Sequence, residues 1–89
     1  MGIFIVTYDL NRPGQNYSEL FEAINGIGSW WHCVDSTWIV KSNLSAVQVR
    51  DRLSSRIDAN DRLLVAALSG EAAWIGFDND CSSWLKNNL

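Results

Sequence analysis

FIVTYDLNRPGQNY, residues 4–17, decides how the rest of the chain is read. Its first half reads as a strand. Across residues 2–10, Ile3 and Ile5 form one apolar set, and Phe4, Val6 and Leu10 form the other. β-Branched and aromatic residues favour the pleated backbone. Apolar residues on both faces predict a strand covered on both sides. Asp9 stands where that strand runs out, and Asn-Arg-Pro-Gly turn chemistry follows it. An acid in this place has two readings. It caps the turn by accepting a backbone N–H, or it presents a carboxylate at a site.

The second half of the stretch opens a helix near Asn16. Asn16 can cap, and Glu19 three residues on makes a variant of the capping box. Tyr17, Leu20, Phe21 and Ile24 follow i, i+3, i+4, i+7 spacing, which points one helix face at the core. Gly26 and Gly28 stop it. SWWHCVD and STWIVKS come next, both rich in strand formers. They form a hairpin turning near Asp35-Ser36, or one long bent strand. Ser45 and Gln48 make a second capping box ahead of a helix whose buried side is Val49, Leu53 and Ile57. After the polar break Asp58-Ala59-Asn60-Asp61, RLLVAAL reads as a strand. Ser69-Gly70 turns the chain, and AAWIGF reads as a short fifth strand. Asp78-Asn79-Asp80 precedes a last short helix, CSSWLKNN.

Strand, helix, strand, strand, helix, strand is the α+β, ferredoxin-like βαββαβ sandwich, here with a short extra C-terminal strand and helix. Right-handed crossovers place both main helices on one face of an antiparallel sheet. The other face then lacks helices, yet its residues, Ile3 and Ile5 among them, are apolar. A bare apolar sheet face marks an interface, so a homodimer packed sheet to sheet is expected.

Composition bounds the rest. Eighty-nine residues make one domain, 1–89, and are too few for two. The chain is 47% hydrophobic and 11% aromatic, which is globular composition rather than disorder. So short a chain buries a small share of its surface and gains from a disulfide, a metal or a partner chain. Cys33 and Cys81 form no dense framework, no signal peptide is discernible, and no apolar run is long enough for a bilayer. A cytoplasmic protein with reduced thiols is therefore expected. The net charge of −3 argues against coating nucleic acid by charge alone.

Tyr8-Asp9 at a strand end, the amphipathic helix, a glycine followed by aromatics, STWIVKS, and a helix-strand unit ending DRLLVAAL together resemble the small CRISPR-associated Cas-two family. TYDLNRPGQNY and SGEAAW resemble most a bacterial and phage-borne branch described as SinR-like. The resemblance covers roughly residues 2–77. It implies a ferredoxin-like fold and a homodimer in which the fifth strand often pairs with the partner's sheet. It also implies that Asp9 lies beside its mate near the two-fold axis, with the divalent-metal role assigned to this acid in members that act as nucleases. In other members the dimer bridges integrase subunits and holds DNA, and the acid is dispensable. Two departures weaken the DNA-holding role here: the loop after Asp9 reads NRPGQN where many relatives are basic, and the chain is acidic overall.

The candidate residues follow. Asp9 is the catalytic and metal candidate, for Mg²⁺ or Mn²⁺, because hard cations take one or two carboxylates and several waters. Tyr8 packs in the core or supports Asp9, and Asn11 lies in the adjacent loop. Arg12 is a phosphate candidate, since a guanidinium fork matches phosphate oxygens. Arg52 and Arg56, four apart, share a helix face and form with Arg50 a basic cluster for RNA or DNA, diluted by Asp51. His32, a single histidine beside Trp31, reads as structural. Five tryptophans read as core and interface, because Trp30 and Trp31 point to opposite sides of one strand. Two functions are carried forward. One is a metal-dependent nuclease acting through Asp9. The other is a non-catalytic dimeric binding or adaptor module, for nucleic acid, nucleotide or protein, in an antiviral defence or toxin context.

Overall fold

The structure is a computed structural model that describes residues 2–11 and 17–89. It is a small α+β protein in which a four-stranded antiparallel sheet is accompanied by three helices. The order is β1 (Gly2–Asp9), α1 (Ser18–Asn25), β2 (Ser29–Val34), β3 (Thr37–Ser42), α2 (Ala46–Ser54), β4 (Arg62–Ala67) and α3 (Asn79–Asn88). The sheet runs β2-β3-β1-β4, so the opening strand is central. Val6 is opposite Trp38 on one side and Val65 on the other. Among the described residues no helix is long and apolar enough to cross a membrane.

The helix-covered face follows the periodicities. Phe4 and Val6 of β1, Trp38 and Val40 of β3, Leu20 and Ile24 of α1, and Val49 and Leu53 of α2 form one core. Six of its side chains, Val6, Leu20, Ile24, Val40, Val49 and Leu53, are fully buried. Burying each large aliphatic side chain contributes roughly 1.5–3 kcal/mol before conformational entropy is set against it. The Ser45–Gln48 capping box is present. Gln48 N donates to Ser45 Oγ at 3.1 Å, and Ser45 N donates to Gln48 Oε1 at 2.8 Å. The expected cap Asn16 lies outside the described residues. The N-cap of α1 is Tyr17, with no side-chain cap bond.

SWWHCVD and STWIVKS resolve into the hairpin. Val34 pairs with Thr37 across Asp35-Ser36, and Ser36 takes φ 60° to close the turn. Gly28 lies where β2 enters beside β3. A Cβ at this position would collide with the Lys41 carbonyl oxygen, so no larger residue fits.

The second sheet face departs from expectation in three ways. It is not bare. Trp31 of β2, Ile39 of β3 and Leu85 of α3 form a second buried cluster, joined by Leu68, Trp74, Phe77, Trp84 and Leu89. The chain's own C-terminal segment therefore covers the apolar surface that suggested a sheet-to-sheet dimer. Secondly, Cys33 and Cys81 are not reduced thiols. They form a disulfide with Cα atoms 6.3 Å apart, joining β2 to α3 across 48 residues. Thirdly, AAWIGF is not a strand; residues 71–77 adopt no regular structure. Gly70 just before this stretch and Gly76 within it have φ of 94° and 91°, values that direct the backbone out of an extended path. Trp74 and Phe77 turn to the second core, while Ile75 is 94% exposed.

Candidate functional site

Asp9 is the last residue of β1 and lies directly opposite Arg62, the first residue of β4. Thr7, Tyr8, Asp9, Arg62, Leu63 and Leu64 line an open surface cavity of about 250 Å³ at this corner of the sheet. Asp9 is exposed. Among the described residues its carboxylate takes part in no hydrogen bond or ion pair. Only its backbone carbonyl is engaged, by Asn11 Nδ2 at a long 3.4 Å.

The turn-capping work belongs to another acid. Asp61 Oδ1 accepts from the backbone N–H of Asn11 at 2.8 Å and from the Tyr17 hydroxyl at 2.9 Å. Asp61 Oδ2 accepts from the backbone N–H of Asp58 at 2.8 Å. Asn11 Nδ2 also donates to the Asn60 carbonyl at 3.0 Å. Asp61 and Asn11 thus tie the exit of β1 to the loop before β4. Sequence reading took Asp61 only as part of a polar break. The available signal was an acid immediately before a strand, and that signal names no partner.

Tyr8 points to the helix-covered face, as strand alternation requires. Its hydroxyl accepts from Trp38 Nε1 at 3.0 Å. Burial pushes the Tyr8 phenol above its ordinary range; the Trp38 hydrogen bond opposes this and the charge of Asp35 adds to it. The His32 ring stacks on Trp38, with centroids 3.9 Å apart and planes 12° from parallel. Burial pushes the imidazole down and Asp35 opposes it, so the neutral form is favoured. His32 is a packed ring, in keeping with its sequence reading. Trp30 also leans on Trp38, at 5.2 Å, and stays 44% exposed, while Trp31 is buried on the opposite face.

The basic candidates are dispersed. Arg12 lies outside the described residues. Arg52 is exposed in the last turn of α2. Arg56 does not share that helix, because α2 ends at Ser54; its Nη1 is 3.9 Å from Glu19 Oε2. Arg50 is engaged by Asp51 at 2.8 Å. These exposed pairs add little stability, but they set carboxylates beside the cations. Among the described residues no three His, Cys, Asp or Glu side chains converge to hold a metal ion. Asp9 itself is a single exposed carboxylate, a donor type that hard cations accept. No protein-family model matches the chain.

Proposed function

We propose that the chain is a Cas-two-like, ferredoxin-like homodimer that acts on RNA or DNA in the cytoplasm, in a defence or toxin setting, with one Asp9 from each subunit forming its site. The observation that carries this reading is the state of Asp9. It is exposed and uncommitted at the end of a central strand, and Asp61 performs the turn-capping that would otherwise explain it. The sheet order β2-β3-β1-β4 supports the ferredoxin-like assignment, since α1 and α2 each connect two strands that flank a third.

The dimer now rests on a different surface from the one the sequence suggested. β4 is an edge strand, Leu64 on it is 58% exposed, and Ile75 is nearly free of contacts. An open edge beside exposed apolar side chains favours pairing with a second chain. Two Asp9 carboxylates brought together without a cation repel, which raises the affinity of the pair for a proton or a metal. Mg²⁺ or Mn²⁺ bound there would polarise a phosphoryl oxygen or activate a water. The chain's own part is to hold the carboxylates on a rigid strand end.

A second reading is favoured by Arg62, which faces Asp9 in the strand register. A guanidinium opposite in register, though not ion-paired to Asp9, would supply counter-charge near the site without a metal, and the dimer is then a binding or adaptor module. One experiment separates the two. Wild type and Asp9→Ala are incubated with labelled single-stranded RNA and duplex DNA, with Mg²⁺, Mn²⁺ or EDTA. The nuclease reading expects metal-dependent cleavage that falls at least about 100-fold in the variant, the scale of losing a group that acts in the transition state. Equal or absent cleavage in both proteins retires it. Light scattering showing a monomer at micromolar concentration removes the shared site in either form.

A further inference from the structure

We propose that the Cys33–Cys81 bridge is a redox latch, which holds the C-terminal segment over the second face of the sheet and releases it on reduction. The proposal depends neither on Asp9 nor on the dimer.

The cover is lightly held. Of the strands, α3 lies chiefly against β2, the strand that carries Cys33. Residues 71–77, which lead to it, have no ladder hydrogen bonds and contain the positive-φ Gly76, with Gly70 immediately before them. Where the cover meets the sheet an apolar cleft of about 190 Å³ opens to solvent, with Ile5, Trp31, Val34 and Ile39 on the sheet side and Trp74 and Leu85 on the other. The cover therefore does not seal against the sheet along its whole length. Two side-chain hydrogen bonds reinforce it: Trp31 Nε1 to the Cys81 carbonyl at 3.1 Å, and Trp84 Nε1 to Ser29 Oγ at 3.3 Å. Of the ties that hold the cover, the bridge is the one that a change of redox state removes.

The bridge is also reachable. An open surface cavity of about 190 Å³ lies against Cys33 and Cys81, flanked by Trp30, His32, Asp80 and Trp84. Both cysteines are half-buried rather than enclosed. Access and local packing decide which disulfides exchange readily. The reductant is a dithiol. One of its thiolates attacks a bridge sulfur and forms a mixed disulfide. Its second thiol then displaces that link and leaves as a cyclic disulfide. Two electrons pass to the bridge, and Cys33 and Cys81 each end as a thiol bearing one proton. In a reducing compartment bridges of this sort are transient and sensing rather than structural.

The test uses the full chain, oxidised with glutathione disulfide and checked by a mass lower by two hydrogens, then compared with and without dithiothreitol by hydrogen exchange. The latch expects amides of α3 around Leu85 to exchange roughly 10- to 100-fold faster after reduction, while the amides of Val6 and Val40 keep their protection. Cys33→Ser and Cys81→Ser should each give the reduced pattern without reductant. Three results overturn the proposal: unchanged protection of α3, which means packing alone holds the cover; loss of protection throughout the chain together, which makes the bridge a plain staple; and failure of the two cysteines to oxidise.

Discussion

The two faces of the sheet are built on different terms. The helix-covered face is closed by Leu20, Ile24, Val49 and Leu53, none of which is accessible to solvent. Each stands at a helical spacing that repeats along its element. The opposite face is closed by aromatics from an irregular segment, one helix and a disulfide, beside an apolar cleft of about 190 Å³ that opens to solvent. The first face is held by many small terms spread over α1, α2 and three strands. The second adds one covalent bond to its apolar packing. The difference shows that burial alone does not rank two layers; what matters is how many independent contacts must fail before a layer leaves.

The largest expected effect breaks the first face. Leu53→Ala should cost about 2–5 kcal/mol, because a fully buried side chain leaves a hole its neighbours cannot close. For a domain of this size that is a large share of its stability, so chemical denaturation should show one early, global transition. Leu85→Ala removes the same side chain from the second face, next to a cleft open to solvent. It should instead loosen α3 while β1 and β3 remain protected. Equal global destabilisation by both variants would erase the distinction between the faces. Next is Cys81→Ser. It should free α3 at lower denaturant while the unfolding of β1 and β3 keeps its midpoint. A shift of the whole transition by roughly 2–4 kcal/mol, the chain-entropy value for losing a cross-link over a long loop, would make the bridge a plain staple instead.

Asp61→Ala comes third. It removes the acceptor for Asn11 N, Tyr17 Oη and Asp58 N, and should cost on the order of 1–3 kcal/mol. Its effect should centre on the loops at one end of the sheet and leave both faces packed. Asp9→Ala, with no partner to lose among the described residues, should hardly move the denaturation midpoint. A cost at Asp9 equal to that at Asp61 would return Asp9 to the role of a structural cap.

What the sequence disclosed follows the same division. Val49, Leu53, Leu20 and Ile24 were legible because helical burial recurs every three or four residues, and the Ser45–Gln48 box was legible because both its partners are local. The second face was not. Cys33 and Cys81 are 48 residues apart, and their pairing depends on how α3 folds back over β2. AAWIGF has strand composition, but with positive-φ glycines at 70 and 76 it turns Trp74 and Phe77 to the core and pairs with no strand of its own sheet. Asp9 was legible only as an acid at a strand end, with a site and a turn cap both open to it. Its freedom became visible only when Asp61, which is distant in sequence, was seen to hold the turn.

The smallest expected effect lies on the first face, at its exposed rim. The His32 ring is stacked on Trp38, and burial lowers its proton affinity below the ordinary 6.5 despite the opposing charge of Asp35. Between the folded-state pKa and 6.5, the unfolded chain therefore binds more proton than the native one. Stability should rise with pH through that window and be complete above it, and fall as pH drops toward the folded-state value. His32→Asn should flatten this slope while leaving the carboxylate-driven loss at lower pH in place. The ring's own titration by NMR decides the cause. A pKa at or above 6.5 would mean that attraction between the imidazolium and the Trp38 face outweighs desolvation. The slope would then reverse, and the rim of the first face would tighten on acidification instead of loosening.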